Sequence, residues 1–171
     1  MQQGRIITVF GSYEPAPGSA EYEQAYQVGY ELGRAGFSIA NGGYAGTMEA
    51  SAKGAKAAGA KTIGVTCTAF RRSRANTYID QEIQTPSLCD RLDKLIELGC
   101  GYVVLPGGTG TLTELAYTWE LMNKGFLTAR PLVIMGDFWQ PVVDLVGQAA
   151  QRSRHLVKKA NHPRELLEIF S

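Results

Sequence analysis

The stretch "PGGTGTLTE" at 106–114 sets glycines, threonines and one carboxylate between the end of an apolar run and the start of an amphipathic helical pattern. Small residues let backbone amides approach a ligand closely. A helix N-terminus adds free N–H groups and the positive end of a dipole, an arrangement suited to a phosphate. Gly107, Gly108, Thr109, Gly110 and Thr111 are therefore candidate ligands. Two other strand ends carry small-residue turns: Gly11 and Ser12 follow the first apolar run, and "NGGYAGTMEA" (41–50), with Gly42 and Gly43, follows the second.

Neither standard nucleotide motif describes the 106–114 stretch. GxGxxG fails because Thr113 stands where the last glycine belongs, and no acidic residue lies between Glu120 and Asp137 to take a ribose hydroxyl. The P-loop pattern and its lysine are absent. Glu114 has two readings. Thr111 to Glu114 can form a capping box, with the carboxylate reaching back to the helix start, or the carboxylate can face a ligand held by the glycine turns.

The elements that would position these residues follow from periodicity. Short β-branched runs at 5–10, 37–40, 61–66, 101–105 and 131–135 alternate with helical spacings such as Leu112, Leu115, Trp119 and Met122. Apolar strands that are each followed by a helix predict an α/β fold: a doubly wound, Rossmann-like parallel sheet with helices on both faces. Helices at 138–151 and 163–170 would close it, with a short extended piece near "HLVKKA" between them. The stretch 67–87, with Arg71, Arg72 and Arg74, reads as a long surface excursion. In such a sheet, ligands sit beyond the carboxyl ends of the strands, near the point where strand order reverses.

With 171 residues, 44% of them hydrophobic, one domain over 1–171 is expected. A formal charge of +1 argues against nucleic acid as the main partner. Cys67, Cys89 and Cys100 form no CxxC pair and no metal set, and His155 and His162 read as surface residues, so no metal is expected. No apolar run approaches a membrane span and the first residues lack a signal-peptide pattern, which predicts a cytoplasmic protein without a membrane partner.

"PGGTGTLTE" resembles the PGGxGTxxE signature of the LOG family, the nucleoside 5'-monophosphate phosphoribohydrolases, many of whose bacterial members were long labelled "possible lysine decarboxylase". "GGYAGTMEA" is similar to the family's second glycine motif, GGxxGxM, and adds Met48. Arg91 lies fifteen residues before Pro106, where the family places an arginine. Two departures stand out: Leu92 follows Arg91 where the family usually carries lysine, and Glu49 stands where many of its members have glycine.

The resemblance implies hydrolysis of the N-glycosidic bond of a purine nucleoside 5'-monophosphate, N6-substituted or not, with no cofactor. Glu114 and Arg91 would be the catalytic pair, with Gly11, Ser12, Gly42, Gly43 and the 107–111 loop around an AMP-like nucleotide. A non-catalytic nucleotide or molybdenum-cofactor carrier is the alternative, since the same loops could bind without turnover. Pyridoxal-dependent decarboxylation is rejected, because Lys53, Lys94 and Lys124 lie in helical patterns with surface-like neighbours. Family members usually pair, so a homodimer is expected, with Leu115, Trp119, Met122 and Phe126 as the apolar stripe; Trp119 and Met122 also follow the core spacing of their helix and fit buried packing.

Overall fold

A computed structural model of the chain describes residues 5–70, 74–128 and 130–171. Seven strands, β1 (Ile6–Phe10), β2 (Ser38–Asn41), β3 (Thr62–Cys67), β4 (Gln81–Thr85), β5 (Gly101–Val104), β6 (Leu132–Met135) and β7 (Val157–Ala160), form one sheet. The order is β4-β3-β2-β1-β5-β6-β7 and every pair is parallel. Strand order therefore reverses between β1 and β5, where Phe10 lies opposite Val104. The carboxyl ends of these two strands splay their following loops to opposite faces and open a crevice.

Alternation along the strands builds two cores. Val103 and Leu105 join the cluster under α1 (Ala20–Arg34), α2 (Thr47–Ala57) and α7 (Glu165–Phe170). Tyr102 and Val104 join the other, under α3 (Leu88–Leu98), α4 (Thr109–Asn123) and α5 (Gln140–Ala149). Fully burying each such side chain stabilises the fold by roughly 1.5–3 kcal/mol. Helices α1 and α2 pack backbone against backbone because Gly29 and Gly54 lack side chains; a Cβ would overlap the Ser51 carbonyl at the first and the Tyr26 carbonyl at the second.

Three expectations need correction. The 67–87 excursion contains strand β4, which pairs with β3 from Ile63–Gln81 to Cys67–Thr85. Its sequence "QEIQT" buries only Thr85, so ladder hydrogen bonds rather than an apolar face hold it at the sheet edge. Arg71 and Arg72 lie outside the described residues, and Arg74 is exposed. The 138–151 helix ends at Ala149, and a separate turn, α6 (Gln151–Arg154), follows. The apolar stripe does not all face outward: Leu115 and Trp119 are 0% and 5% exposed, and the Trp119 indole donates to the Ser153 carbonyl at 2.9 Å. Those two residues belong to the core. Among the described residues no helix is long and apolar enough to cross a membrane.

Candidate functional site

A cleft of about 1190 Å³ opens at the switch point. Every candidate residue read from the sequence lines it except Gly43. The loops after β1, β2 and β5 supply its floor and walls, and Phe70 and Phe138 reach it from the ends of β3 and β6.

The β5 loop is open toward the cleft. Helix α4 starts at Thr109 with Gly108 as its N-cap and no side chain closing it. The first intrahelical bond near this end is donated by Leu112 to the Gly108 carbonyl, at 2.9 Å. The amides of Thr109, Gly110 and Thr111 therefore precede the helical ladder. A Cβ added at Gly108 or Gly110 would meet nothing within 4 Å, whereas one at Gly107 would overlap Thr111 Oγ1. Free amides of this kind, with the positive end of the helix dipole, are the donors an anion can use without a cation.

Glu114 does not cap this helix. It sits in the second turn, 9% exposed, with Oε1 at 3.9 Å from Arg91 Nη1. Oε2 is buried and has no hydrogen-bond partner among the described residues. Burial pushes the carboxyl up to about 7, against the opposing pull of the Arg91 charge. An orphaned buried carboxyl costs stability, and carboxyls shifted in this way cluster at functional sites.

Arg91, on the first turn of α3, is anchored by two backbone carbonyls. Its Nε donates to the Val65 carbonyl at 2.8 Å and its Nη2 to the Gly42 carbonyl at 3.1 Å. Its Cζ lies 5.5 Å from the Tyr44 ring centroid and 5.7 Å from that of Phe70. Gly42 is glycine because a Cβ would overlap Arg91 Nη2. Nη1, which faces Glu114, is left for the cleft.

The other two turns are wired internally. The Ser12 amide donates to Thr47 Oγ1 at 2.9 Å, and the Thr47 amide donates to the Ser12 carbonyl at 2.8 Å. Gly11 is the residue a Cβ would drive into that Thr47 hydroxyl. The Gly43 amide donates to Asn41 Oδ1 at 2.8 Å, so Gly43 shapes the turn, with φ 78°, and offers no amide to a ligand. The Met48 carbonyl accepts from Asn41 Nδ2 at 2.8 Å while its side chain lines the cleft.

Sequence reasoning missed Tyr44, Phe70, Asn41, Thr47 and Asn76. Asn76 lies in the supposed excursion and donates through its side chain to the Gly43 and Tyr44 carbonyls at 3.1 and 2.8 Å, buttressing the β2 turn. Asn41 directly before two glycines was a legible signal for a side-chain-stabilised turn. The two departures from the family pattern sit outside the cleft lining. Leu92 packs against the second core cluster. Glu49 accepts the Tyr22 hydroxyl at 2.8 Å, which together with burial raises that phenol's pKa.

Fold and site together define a doubly wound α/β architecture with a cleft at its switch point. The chain belongs to the SLOG cluster4 family, whose model matches residues 4–167, and the LOG-family resemblance holds. Among its relatives, a cytokinin riboside 5'-monophosphate phosphoribohydrolase of Mycobacterium tuberculosis is 33% identical over 120 residues, covering 68% of this chain and 63% of that one. A pyrimidine/purine nucleotide 5'-monophosphate nucleosidase of Escherichia coli K12 is 28% identical over 158 residues, covering 80% of this chain but 34% of the relative. Thus the chain spans about a third of that protein's length. The solved structure of a molybdenum cofactor binding protein from Rippkaea orientalis matches with a TM-score of 0.78 at 24% identity, covering 99% of this chain and 97% of the other. That likeness shows the fold.

Proposed function

We propose that this protein hydrolyses the N-glycosidic bond of a nucleoside 5'-monophosphate, releasing free base and ribose 5-phosphate, with a purine nucleotide, N6-substituted or not, as substrate. The observation that carries this reading is Glu114: a buried carboxyl with an orphan oxygen, beside Arg91 and on the helix whose uncapped start faces the same cleft. The phosphate is received by the amides and hydroxyls of Thr109, Gly110 and Thr111. Binding energy from that non-reacting group positions the ribose.

As the C1'–N bond lengthens, its electron pair leaves with the base and positive charge develops on the ribose. The Glu114 carboxylate stabilises that charge and orients the attacking water, which forms the new C1'–O bond and gives up a proton to balance the base. Arg91 holds the base or ribose through Nη1. The Glu114 titration near pH 7 sets the working range, with the carboxylate form present above it. No metal enters this scheme, and among the described residues no acidic, histidine and cysteine cluster could hold one.

Pairing with a second copy is part of the proposal. Leu112 and Phe126, 36% and 76% exposed, remain available at the outer edge of α4 and its following turn. A monomeric mass at micromolar concentration contradicts it.

The test is chromatographic. Purified protein is incubated with AMP, N6-isopentenyl-AMP, GMP, CMP and adenosine. Free base from the purine monophosphates and none from adenosine is the expected result. Tight binding of AMP with no base released from any compound overturns hydrolysis in favour of a carrier.

A further inference from the structure

Five aromatic residues line the cleft: Phe10, Tyr13, Tyr44, Phe70 and Phe138. Their engagements differ. Phe10 is 1% exposed and stacks on Tyr102 with ring centroids 6.0 Å apart. Tyr44 and Phe70 flank the Arg91 guanidinium and lie 6.2 Å from each other. Tyr13 has a partner of its own. Phe138 is 56% exposed, and its ring meets Trp139 edge-on, at 4.9 Å and 85°.

The segment that carries Phe138 is fixed on several sides. Trp139 is 5% exposed, and its indole nitrogen donates to the Leu105 carbonyl at 2.9 Å, directly before the 106–114 loop. Gly136, with φ 67°, turns the chain out of β6, and its amide donates to the Ala160 carbonyl at 2.8 Å. Asp137 pairs with Lys159. An exposed phenylalanine on a rigid turn at the mouth of a ligand cleft offers a preorganised apolar face at little conformational cost.

We infer that Phe138 is the platform against which the nucleotide base stacks, making it a base-binding residue of the cleft. This rests on the proposed nucleotide reading. A base has a π face whatever its edge groups, so a ring at this place selects for an aromatic base and leaves the phosphate end untouched. The arrangement divides the labour. The β5 loop reads the phosphate, Glu114 and Arg91 sit at the ribose, and Phe138 holds the base on the β6 side.

The experiment compares AMP with ribose 5-phosphate, which lacks the base, by isothermal titration of the Glu114→Gln protein with and without Phe138→Ala. Stacking on an aromatic ring is lost at roughly 5- to 150-fold in affinity on alanine substitution. Phe138→Ala is expected to weaken AMP by that factor, to leave ribose 5-phosphate within about twofold, and to be rescued by Phe138→Trp. Equal AMP affinity with and without the ring overturns the inference. So does an equal loss for both ligands, which would mark a disturbed loop. Base release by the wild-type protein is followed separately. AMP hydrolysed but insensitive to Phe138 removes this inference alone, whereas AMP bound through Phe138 but never hydrolysed removes the hydrolase reading alone. AMP bound by neither protein removes both.

Discussion

The turn after β1 and the turn after β5 look alike in sequence, each a run of small residues where an apolar strand ends, yet they do opposite things with their backbone. At the first, the Ser12 amide and carbonyl are both taken by Thr47, and Gly11 exists to make room for that threonine's hydroxyl. At the second, the helix starts without a cap and Gly108 and Gly110 face empty space. Glycine at a strand end can thus mean close packing of the protein on itself or close approach of a ligand. What separates them is whether the neighbouring donors are already spent.

That difference carries a cost on the open side, and the largest expected effect measures it. Glu114 has a folded pKa of about 7 against an ordinary 4.5. Between those values the folded chain holds a proton that the unfolded chain has lost, so stability falls as pH rises through the window. The loss is complete above about pH 7 and absent below about 4.5, and it amounts to about 3 kcal/mol. Glu114→Gln escapes it. The variant is expected to melt about 6–12 °C above wild type at pH 8 and level with it at pH 4, as read by calorimetry.

Gly42, on the turn after β2, accepts a hydrogen bond from Arg91 Nη2 at its carbonyl. A methyl group there meets the Arg91 guanidinium and the Met48 sulfur, both ends of side chains that can move, so the fold should survive while Arg91 is displaced. A displacement of about 1 Å costs about 100-fold in kcat/KM. Unchanged kinetics for Gly42→Ala would separate Arg91 from the reaction.

On the wired side, Thr47→Val removes the hydroxyl that bridges Ser12 and is expected to cost about 1–3 kcal/mol in denaturant unfolding. AMP affinity should change far less than stability. The open side should behave in reverse. Gly110→Ala fills space that only a ligand contests, so AMP binding is expected to weaken by about tenfold, or about 1.4 kcal/mol, while stability holds or rises by about 0.5–1 kcal/mol from helix propensity. If Gly110→Ala unfolds the protein and Thr47→Val abolishes binding, the comparison is inverted and the assignment of the two turns is wrong.

Much of this fold was legible because its strands are buried on both faces and so read as unbroken β-branched runs. Strand β4 was not, since an edge strand with one covered residue carries no apolar signature. The 106–114 loop was legible as a tight turn into a helix start from its glycines and the helix behind it. Arg91 was not legible from its own surroundings: its helix alternates charged and apolar residues as surface helices do, and its burial comes from Gly42, Tyr44 and Phe70 closing over it. The spent amide of Gly43 was equally hidden, because Asn41 must fold back to take it. Residue types indicate what can bond, and tertiary contacts decide which bonds are already made.

The most direct test of the central claim is the rate of adenine release from AMP at pH 8 by wild type and Glu114→Gln, with AMP affinity measured on both. The expected result is release by wild type and a loss of roughly 10²- to 10⁴-fold in the variant, with affinity retained. Equal rates in the two proteins, or none in wild type, would contradict the assignment of hydrolysis to this buried carboxylate.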